Sequence, residues 1–299
     1  MITRRTFLRL AGTAAMSLVS VGAYAGVIEP RFRLVVTRYT LRIPRWTAAH
    51  GPMRIAVIAD LHACEPWMPP ARIAEIVAET NRLAPDLTLL LGDYVTGIGR
   101  FSTAEVPIEV WAAALGGLSA PLGVHGVLGN HDCGADVPAI RRAFAAQGIT
   151  LMENAAQRLA TPSGGAAFWL AGLGDQIAWN GRGGRGLDDL PGTLAQVTDD
   201  APVLMMAHEP DIFARMPDRV SLTVSGHTHG GQVRLPFVGS PLVPSHYGQR
   251  YVYGHIVEDG KQIVVSGGLG CSLLPVRFGR PPEIVLLDIV GAEDDGRVA

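Results

Sequence analysis

Apolar and polar positions divide the first half of the chain into runs of two periods. Residues 53–59, 87–91 and 123–128 are short, nearly continuous apolar runs. Runs of that length bounded by turn residues predict buried strands. Between them the period lengthens. From Pro70 onward Ile73, Ile76, Val77 and Thr80 share one helical face, 106–118 reads as a helix, and 137–147 reads as another stopped by Gly148. Strand–helix repeated three times predicts a parallel sheet with helices on its faces. Upstream, 33–45 alternates Leu34, Val36, Tyr39, Leu41 and Ile43 with polar residues, which predicts one or two edge strands. The second half is richer in strands: 168–172, 203–207, 220–224, 263–266 and 284–289, with one helix at 190–197. No internal repeat is visible.

Five of these strands end in a polar motif. They are Asp60-Leu61-His62, Gly92-Asp93, Gly129-Asn130-His131-Asp132, His208-Glu209 and Gly226-His227-Thr228-His229. In open α/β sheets, ligands bind beyond the carboxyl ends of the strands, so motifs far apart in sequence can share one crevice. Asp60, His62, Asp93, Asn130, His208, His227 and His229 together offer hard oxygens and imidazole nitrogens. That donor set exceeds the needs of one tetrahedral zinc and suits two ions roughly 3.5–4 Å apart that share a bridging carboxylate. Asp93, on a central strand, is the candidate bridge. His50, His125, His246 and His255 lack such motifs and read as structural, with His246 the nearest of them to a rim position.

Composition narrows the setting. The chain has 299 residues, 48% hydrophobic, enough for one large core. Residues 1–25 carry Arg4, Arg5 and Arg9 and no acid; without them 22 basic residues face 27 acidic ones, which takes the formal charge from −2 to −5. An acidic body with one lysine, Lys261, argues against a nucleic-acid partner. Paired arginines followed by Phe7-Leu8, an apolar stretch and Ala23-Tyr24-Ala25 predict a twin-arginine signal at 1–25 and a single domain at 26–299. The alternative is an uncleaved basic membrane anchor, although the apolar stretch to Tyr24 looks short and impure for a spanning helix. Arg182 and Arg185 sit in a glycine-rich loop, and 293–295 form an acidic tail. Three cysteines, Cys64, Cys133 and Cys271, make no disulfide framework. Cys64 and Cys133 each closely follow a site motif and are expected near each other at its rim.

The order of the five motifs resembles that of the calcineurin-like metallophosphoesterase superfamily over roughly residues 54–289. The stretch Gly226 to Gln232, residues 248–253 and 272–282 resemble its twin-arginine-exported bacterial branch. The resemblance implies a four-layer α/β/β/α sandwich with a dimetal site at the strand C-terminal ends. It implies Asp60, His62 and His229 on one ion, Asn130, His208 and His227 on the other, and Asp93 bridging, with Mn, Fe or Zn as the metals. His131 would stabilise or protonate the leaving oxygen, and Asp132 would orient His131. One departure is Thr96, which replaces the second acid of Gly-Asp-x-x-Asp; it also excludes the metal-binding tyrosine of purple acid phosphatases, since Tyr94 has the wrong spacing.

These features imply a hydrolase of phosphate esters, with diesters or pyrophosphates favoured over monoesters, acting in the periplasm or cell envelope after export by the twin-arginine machinery. Phospholipids, lipid-linked pyrophosphates and wall polymers are the substrate classes implied. A pyrophosphatase of UDP-2,3-diacylglucosamine is an alternative that the export signal opposes, because that step is cytoplasmic. A binding module on an inactive copy of the fold is another, opposed by the complete ligand set. A nuclease is a third, opposed by net acidity.

Overall fold

The computed structural model describes residues 3–162, 164–178 and 186–291; Arg182, Arg185 and the acidic tail lie outside the described residues. In chain order the elements are α1 (Arg4–Ala23), α2 (Glu29–Phe32), β1 (Val35–Leu41), β2 (Met53–Ile58), β3 (Cys64–Glu65), α3 (Pro70–Arg82), β4 (Leu87–Leu90), β5 (Ala104–Glu105), α4 (Ile108–Leu115), β6 (Val124–Gly126), α5 (Asn130–Cys133) and α6 (Val137–Ala146). The second half adds β7 (Thr150–Leu151), β8 (Ala155–Ala160), β9 (Ala167–Gly172), α7 (Leu190–Leu194), β10 (Val203–Met206), β11 (Leu222–Ser225), β12 (Gly254–Glu258), β13 (Lys261–Val265) and β14 (Glu283–Ile289).

Two six-stranded sheets form, in the orders β1-β14-β2-β4-β6-β7 and β12-β13-β11-β10-β9-β8. In the first, β2, β4, β6 and β7 run parallel and β14 returns antiparallel to β2. In the second, β9, β10, β11 and β13 run parallel, and β8 and β12 close the edges antiparallel. The continuous apolar runs follow from burial on both faces. Ile55, Val57, Leu87 and Leu89 point into the core between the sheets, against Leu204, Met206, Leu222 and Val224. Their neighbours Ala56, Ile58 and Leu90 face α3, α4 and α6. Helices therefore cover one face of the first sheet, and the second sheet covers the other, where the alternation of strand and helix had predicted helices on both. Outside the second sheet, Leu190, Ile212 and Phe213 form a thin covering layer of short helices. The mixed sheets and their covers make the expected α/β sandwich.

The segment before β1 is one continuous helical run. Helix α1 buries none of its residues, and helical backbone continues past Tyr24 through a π-type turn and α2. The 29 residues Arg4–Phe32 are long and apolar enough to cross a membrane by length and composition. The anticipated cleavage point is helical and packed. Ala25 is buried and its carbonyl accepts from the backbone N–H of Arg277 at 2.9 Å. Buried Glu29 accepts from the backbone N–H groups of Gly279 and Arg280.

All three cysteines are free, as their sparse count predicts; Cys64, in β3, packs with Cys271 and Ile98, while Cys133 lies on α5 with Asp175, Asp132 and Glu209 among the charges around it.

Between α4, α6 and the loop after β4, Trp111 stacks on Tyr94 at 5.4 Å and meets Phe144 edge-on at 5.5 Å. Tyr94 follows Asp93, so this aromatic cluster is the floor under a site loop. Trp111→Ala is expected to cost about 3–5 kcal/mol, as truncation of a fully buried aromatic does. Urea titration of the variant measures it, and a loss below about 1 kcal/mol would show that the cluster is not a support.

Candidate metal centre

Each candidate ligand sits just past the carboxyl end of a parallel strand. Asp60 and His62 follow β2, Asp93 follows β4, Asn130 and His131 follow β6, His208 follows β10, and His227 and His229 follow β11. The first three strands belong to one sheet and the last two to the other. The crevice thus lies where the ends of both sheets meet.

The structure gathers six of the seven, and Asn130 adjoins them through His131, whose backbone N–H bonds Asp93. Donor atoms of Asp60, His62 and His229 form one group, all within 4.8 Å of one another, and those of Asp93, His208 and His227 form a second. Nε2 of His62 lies 3.2 Å from Nε2 of His229, which is 3.8 Å from Oδ1 of Asp60. The two groups meet at Asp93, whose Oδ2 is 3.5 Å from Nε2 of His62 and 3.3 Å from Nε2 of His208. Asp60 Oδ2, Asn130 Oδ1 and His208 Nε2 are buried without a hydrogen-bond partner. Unpartnered polar atoms are costly inside a protein, and here three of them belong to the ligand set, so the residues fit a pair of cations.

The backbone is bent to achieve this. Asp60, His62, Asp93, His227 and His229 all have φ between 48° and 67°. That left-handed region is uncommon for residues with a Cβ, and such strain concentrates at functional sites. Close approach makes glycine necessary beneath Asp93. A Cβ on Gly129 would fall 2.2 Å from Asp93 Oδ1, and one on Gly92, itself at φ +90°, would fall 2.5 Å from the Gly129 nitrogen.

Electrostatics set the protonation of the ligands. Burial lowers His62 to about 4, His227 to about 3 and His229 well below the usual imidazole range. Neutral imidazole is the metal-binding form. The Nδ1 atoms of His62 and His208 lie 2.8 Å and 2.6 Å from the carbonyls of Val95 and Leu91. Carbonyls only accept, so Nδ1 carries the hydrogen and, in the neutral ring, Nε2 offers its lone pair inward. Burial raises Asp60 to about 7. It acts the same way on Asp93, but His208, His62 and His131 outweigh it and hold that carboxyl well below the usual range. The same Asp93 charge overcomes burial at His208 and holds it well above the usual value.

His131 stands at the mouth. Its backbone N–H donates to Asp93 Oδ1 at 2.9 Å, and its ring meets His62 edge-on at 4.9 Å. Nε2 lies 4.0 Å from Asp93 Oδ2 and 3.5 Å from Ser272 Oγ. The ring opens on a cleft of about 640 Å³ lined also by Val95, Thr96 and Trp111. Asp132 does something other than orient that ring. Its carboxylate accepts from the backbone N–H groups of Asp93 at 2.7 Å, Gly129 at 2.9 Å, Tyr94 at 2.8 Å and Val95 at 3.1 Å. It ties the two strand-end loops together. Tyr94 turns away, its hydroxyl donating to Val127 O at 2.9 Å. Thr96 hydrogen-bonds Cys64 and stays out of the ligand groups. His50, His125 and His255 bond to Ala167, Leu122 and Gln262, as structural residues do, and His246 lies outside the ligand groups.

Two features were missed in the sequence. Arg277 is fully buried, donates to the carbonyls of Gly267, Gly270 and Arg280, and lies 3.3 Å from Nδ1 of His229. Its segment drew notice without a role for the arginine, and only burial reveals one. Behind His208, Glu209 and Asp175 bring carboxylate oxygens within 4.8 Å of each other and of a His208 nitrogen, and burial, against the pull of His208, holds the Glu209 carboxyl well above the usual range. Glu209 stood in a recognised motif; Asp175 carried no signal.

Comparison with known proteins agrees with this geometry. Residues 53–231 match the family described as calcineurin-like phosphoesterase. Phosphodiesterase YaeI of Escherichia coli is 34% identical over 301 residues, covering 97% of this chain and all (100%) of that one. An uncharacterized metallophosphoesterase of Bacillus subtilis, YkuE, is 29% identical over 294 residues, covering 96% and 98%. A zebrafish (Danio rerio) transmembrane protein with a metallophosphoesterase domain is 26% identical, covering 90% of this chain and 60% of its own length. The family implies divalent metal ions, and the gathered histidines and aspartates are groups able to hold them. This chain belongs to the calcineurin-like phosphoesterase family and is a metal-dependent phosphoesterase.

Proposed function

We propose that the protein is a dimetal phosphodiesterase of the cell envelope, cleaving a phosphodiester or pyrophosphate, lipid-linked substrates among them. The observation that carries this is the position of Asp93 Oδ2, which faces the donors of both ligand groups. Asp60, His62 and His229 would hold one ion and Asn130, His208 and His227 the other, with Asp93 within reach of both. Bound there, two ions supply Lewis-acid neutralisation of phosphoryl charge and a low-pKa water. The chain's own residues do the rest. Asp132 fixes the loops, Arg277 sits behind His229, and His131 faces the cleft, where an imidazolium can donate to the departing oxygen. The name of the Escherichia coli relative supports diester chemistry.

The N-terminus supports export by the twin-arginine machinery with the helix retained as an anchor. Arg4 and Arg5 stand at its start, and the small residues that a signal peptidase would need lie in helical, packed backbone. A transmembrane relative fits that reading.

Three outcomes are expected. Asp93→Ala removes a ligand from both ions, so it should lower kcat/KM more than any other single ligand change, beyond the roughly 10–100-fold typical of losing a residue behind a ligand; elemental analysis that finds both metals retained with near-normal rates would refute the bridge. His131→Ala should keep both metals, lose about 10²–10⁴ in kcat/KM on alkyl phosphodiesters, and lose far less on bis-p-nitrophenyl phosphate, whose leaving group needs no proton. Equal losses on both esters would leave His131 without an acid role, and no turnover of any diester by metal-loaded wild type would refute the function itself. Arg4→Lys with Arg5→Lys should hold the protein in the cytoplasm, because the pair is read by a receptor rather than as charge; cell fractionation showing undiminished export would refute that route.

A further inference from the structure

Two loops beside the metal centre expose apolar side chains that nothing among the described residues covers. The turn closed by the Leu235 N–H to Gly239 carbonyl bond presents Phe237, 110% exposed, and Val238, 67% exposed, and Leu242 follows. The loop after Ser272 presents Leu273 at 66% and Leu274 at 49%. Phe237 and Leu273 are each held at φ 64°, a conformation costly for bulky residues. Strained, solvated apolar residues at a loop tip return nothing to folding; they indicate a surface that something else covers.

The covering partner follows from what these loops touch. Gln232, at the base of the first loop, donates through its side chain to the carbonyls of Leu274 and Val276 in the second. Arg234 and Phe278 are joined through the backbone, and Phe278 meets Tyr24, at the end of α1, edge-on at 6.3 Å. Phe278 and Gly279 also wall a cavity of about 720 Å³ with the 234–239 turn. The turn therefore lies against the point where the Arg4–Phe32 helix leaves the body. Exposed Arg234 lies in this turn, placed as a cation is at a lipid headgroup boundary.

We propose that the tips of these loops, Phe237 and Val238 with Leu273 and Leu274, insert into the bilayer that holds α1. This rests on the reading of α1 as a retained anchor and deepens the function proposed above. Ser272, 3.5 Å from the His131 ring, immediately precedes Leu273. The mouth of the metal centre thus opens at headgroup depth, and the substrate is an amphiphile whose phosphate lies at that level while its apolar part stays in the membrane. A membrane surface fits better than a second copy of the chain, because the apolar tips and the membrane-length helix leave the body together.

The test uses the full chain in vesicles containing brominated phosphatidylcholine. The emission added by Phe237→Trp should be lost to bromine quenching, whereas that added by Val257→Trp, exposed on β12, should persist. Phe237→Asp with Val238→Asp should lower hydrolysis of a bilayer-embedded phosphodiester about tenfold or more, the worth of expelling one buried apolar side chain, and leave hydrolysis of soluble bis-p-nitrophenyl phosphate unchanged. Absence of quenching at position 237 overturns the proposal, as does an equal loss on both substrates. Shielding of that tryptophan that grows with protein density rather than with bromine assigns the loops to a second copy and overturns it too. Should wild type hydrolyse neither diester, the phosphodiesterase reading fails while the quenching result still decides insertion.

Discussion

Four backbone N–H groups converge on one carboxylate, that of Asp132, and the centre depends on it. Gly129, Asp93, Tyr94 and Val95 donate to it from the ends of two adjacent parallel strands. Strand ends leave backbone donors unpaired, and burying them unsatisfied would be costly. One buried acid satisfies four and fixes the two loops relative to each other. With the loops fixed, the His131 N–H holds Asp93 Oδ1, and Oδ2 is left facing His62 and His208. The glycines at 92 and 129 are the steric condition for that closeness, since a Cβ at either would occupy space that the ligands and loop backbone already fill.

Polarity concentrated at this depth needs compensation. Asp60, His62, Asp93, His208 and His229 are all buried. The left-handed backbones of Asp60, His62, Asp93 and His229 and the unpartnered atoms of Asp60 and His208 are tolerated because thick apolar cores stand on either side. The stability of those cores holds the strain in place. Cations replace protons and unpaired lone pairs at once, which is why a dry pocket of histidines and aspartates is arranged around metals rather than around a core. Arg277 extends the design outward, binding carbonyls of the 267–280 segment and standing behind His229.

That segment also carries the N-terminal helix. Ala25 and Glu29 accept from the backbones of Arg277, Gly279 and Arg280, while the Arg280 side chain donates to Gly230 next to His229. A short run of hydrogen bonds therefore connects a membrane-length helix with a candidate ligand loop. The catalytic end of the sandwich and the helix share one support, which fixes the orientation of the centre relative to whatever holds the helix.

Much of this was legible in the sequence. Strand ends with polar motifs announced the ligands, because buried strands stay apolar until the residue where the site begins, as at Ile58 to Asp60 and Val224 to His227. The α/β class followed from the periods. Edge strands β8 and β12 escaped notice, since Ala155–Ala160 buries no residue fully and Gly254–Glu258 buries only Gly254, so neither shows an apolar run. Tertiary structure alone decided which face of each strand meets helices and which meets the second sheet, because a run buried on both sides has no alternation to read. It also reassigned Asp132 from an imidazole to four backbone amides, paired Cys64 with Cys271's surroundings rather than with Cys133, and gave Arg277 its place behind His229. Those are long-range contacts whose partners neither period nor motif names, and only the folded chain brings their atoms within reach.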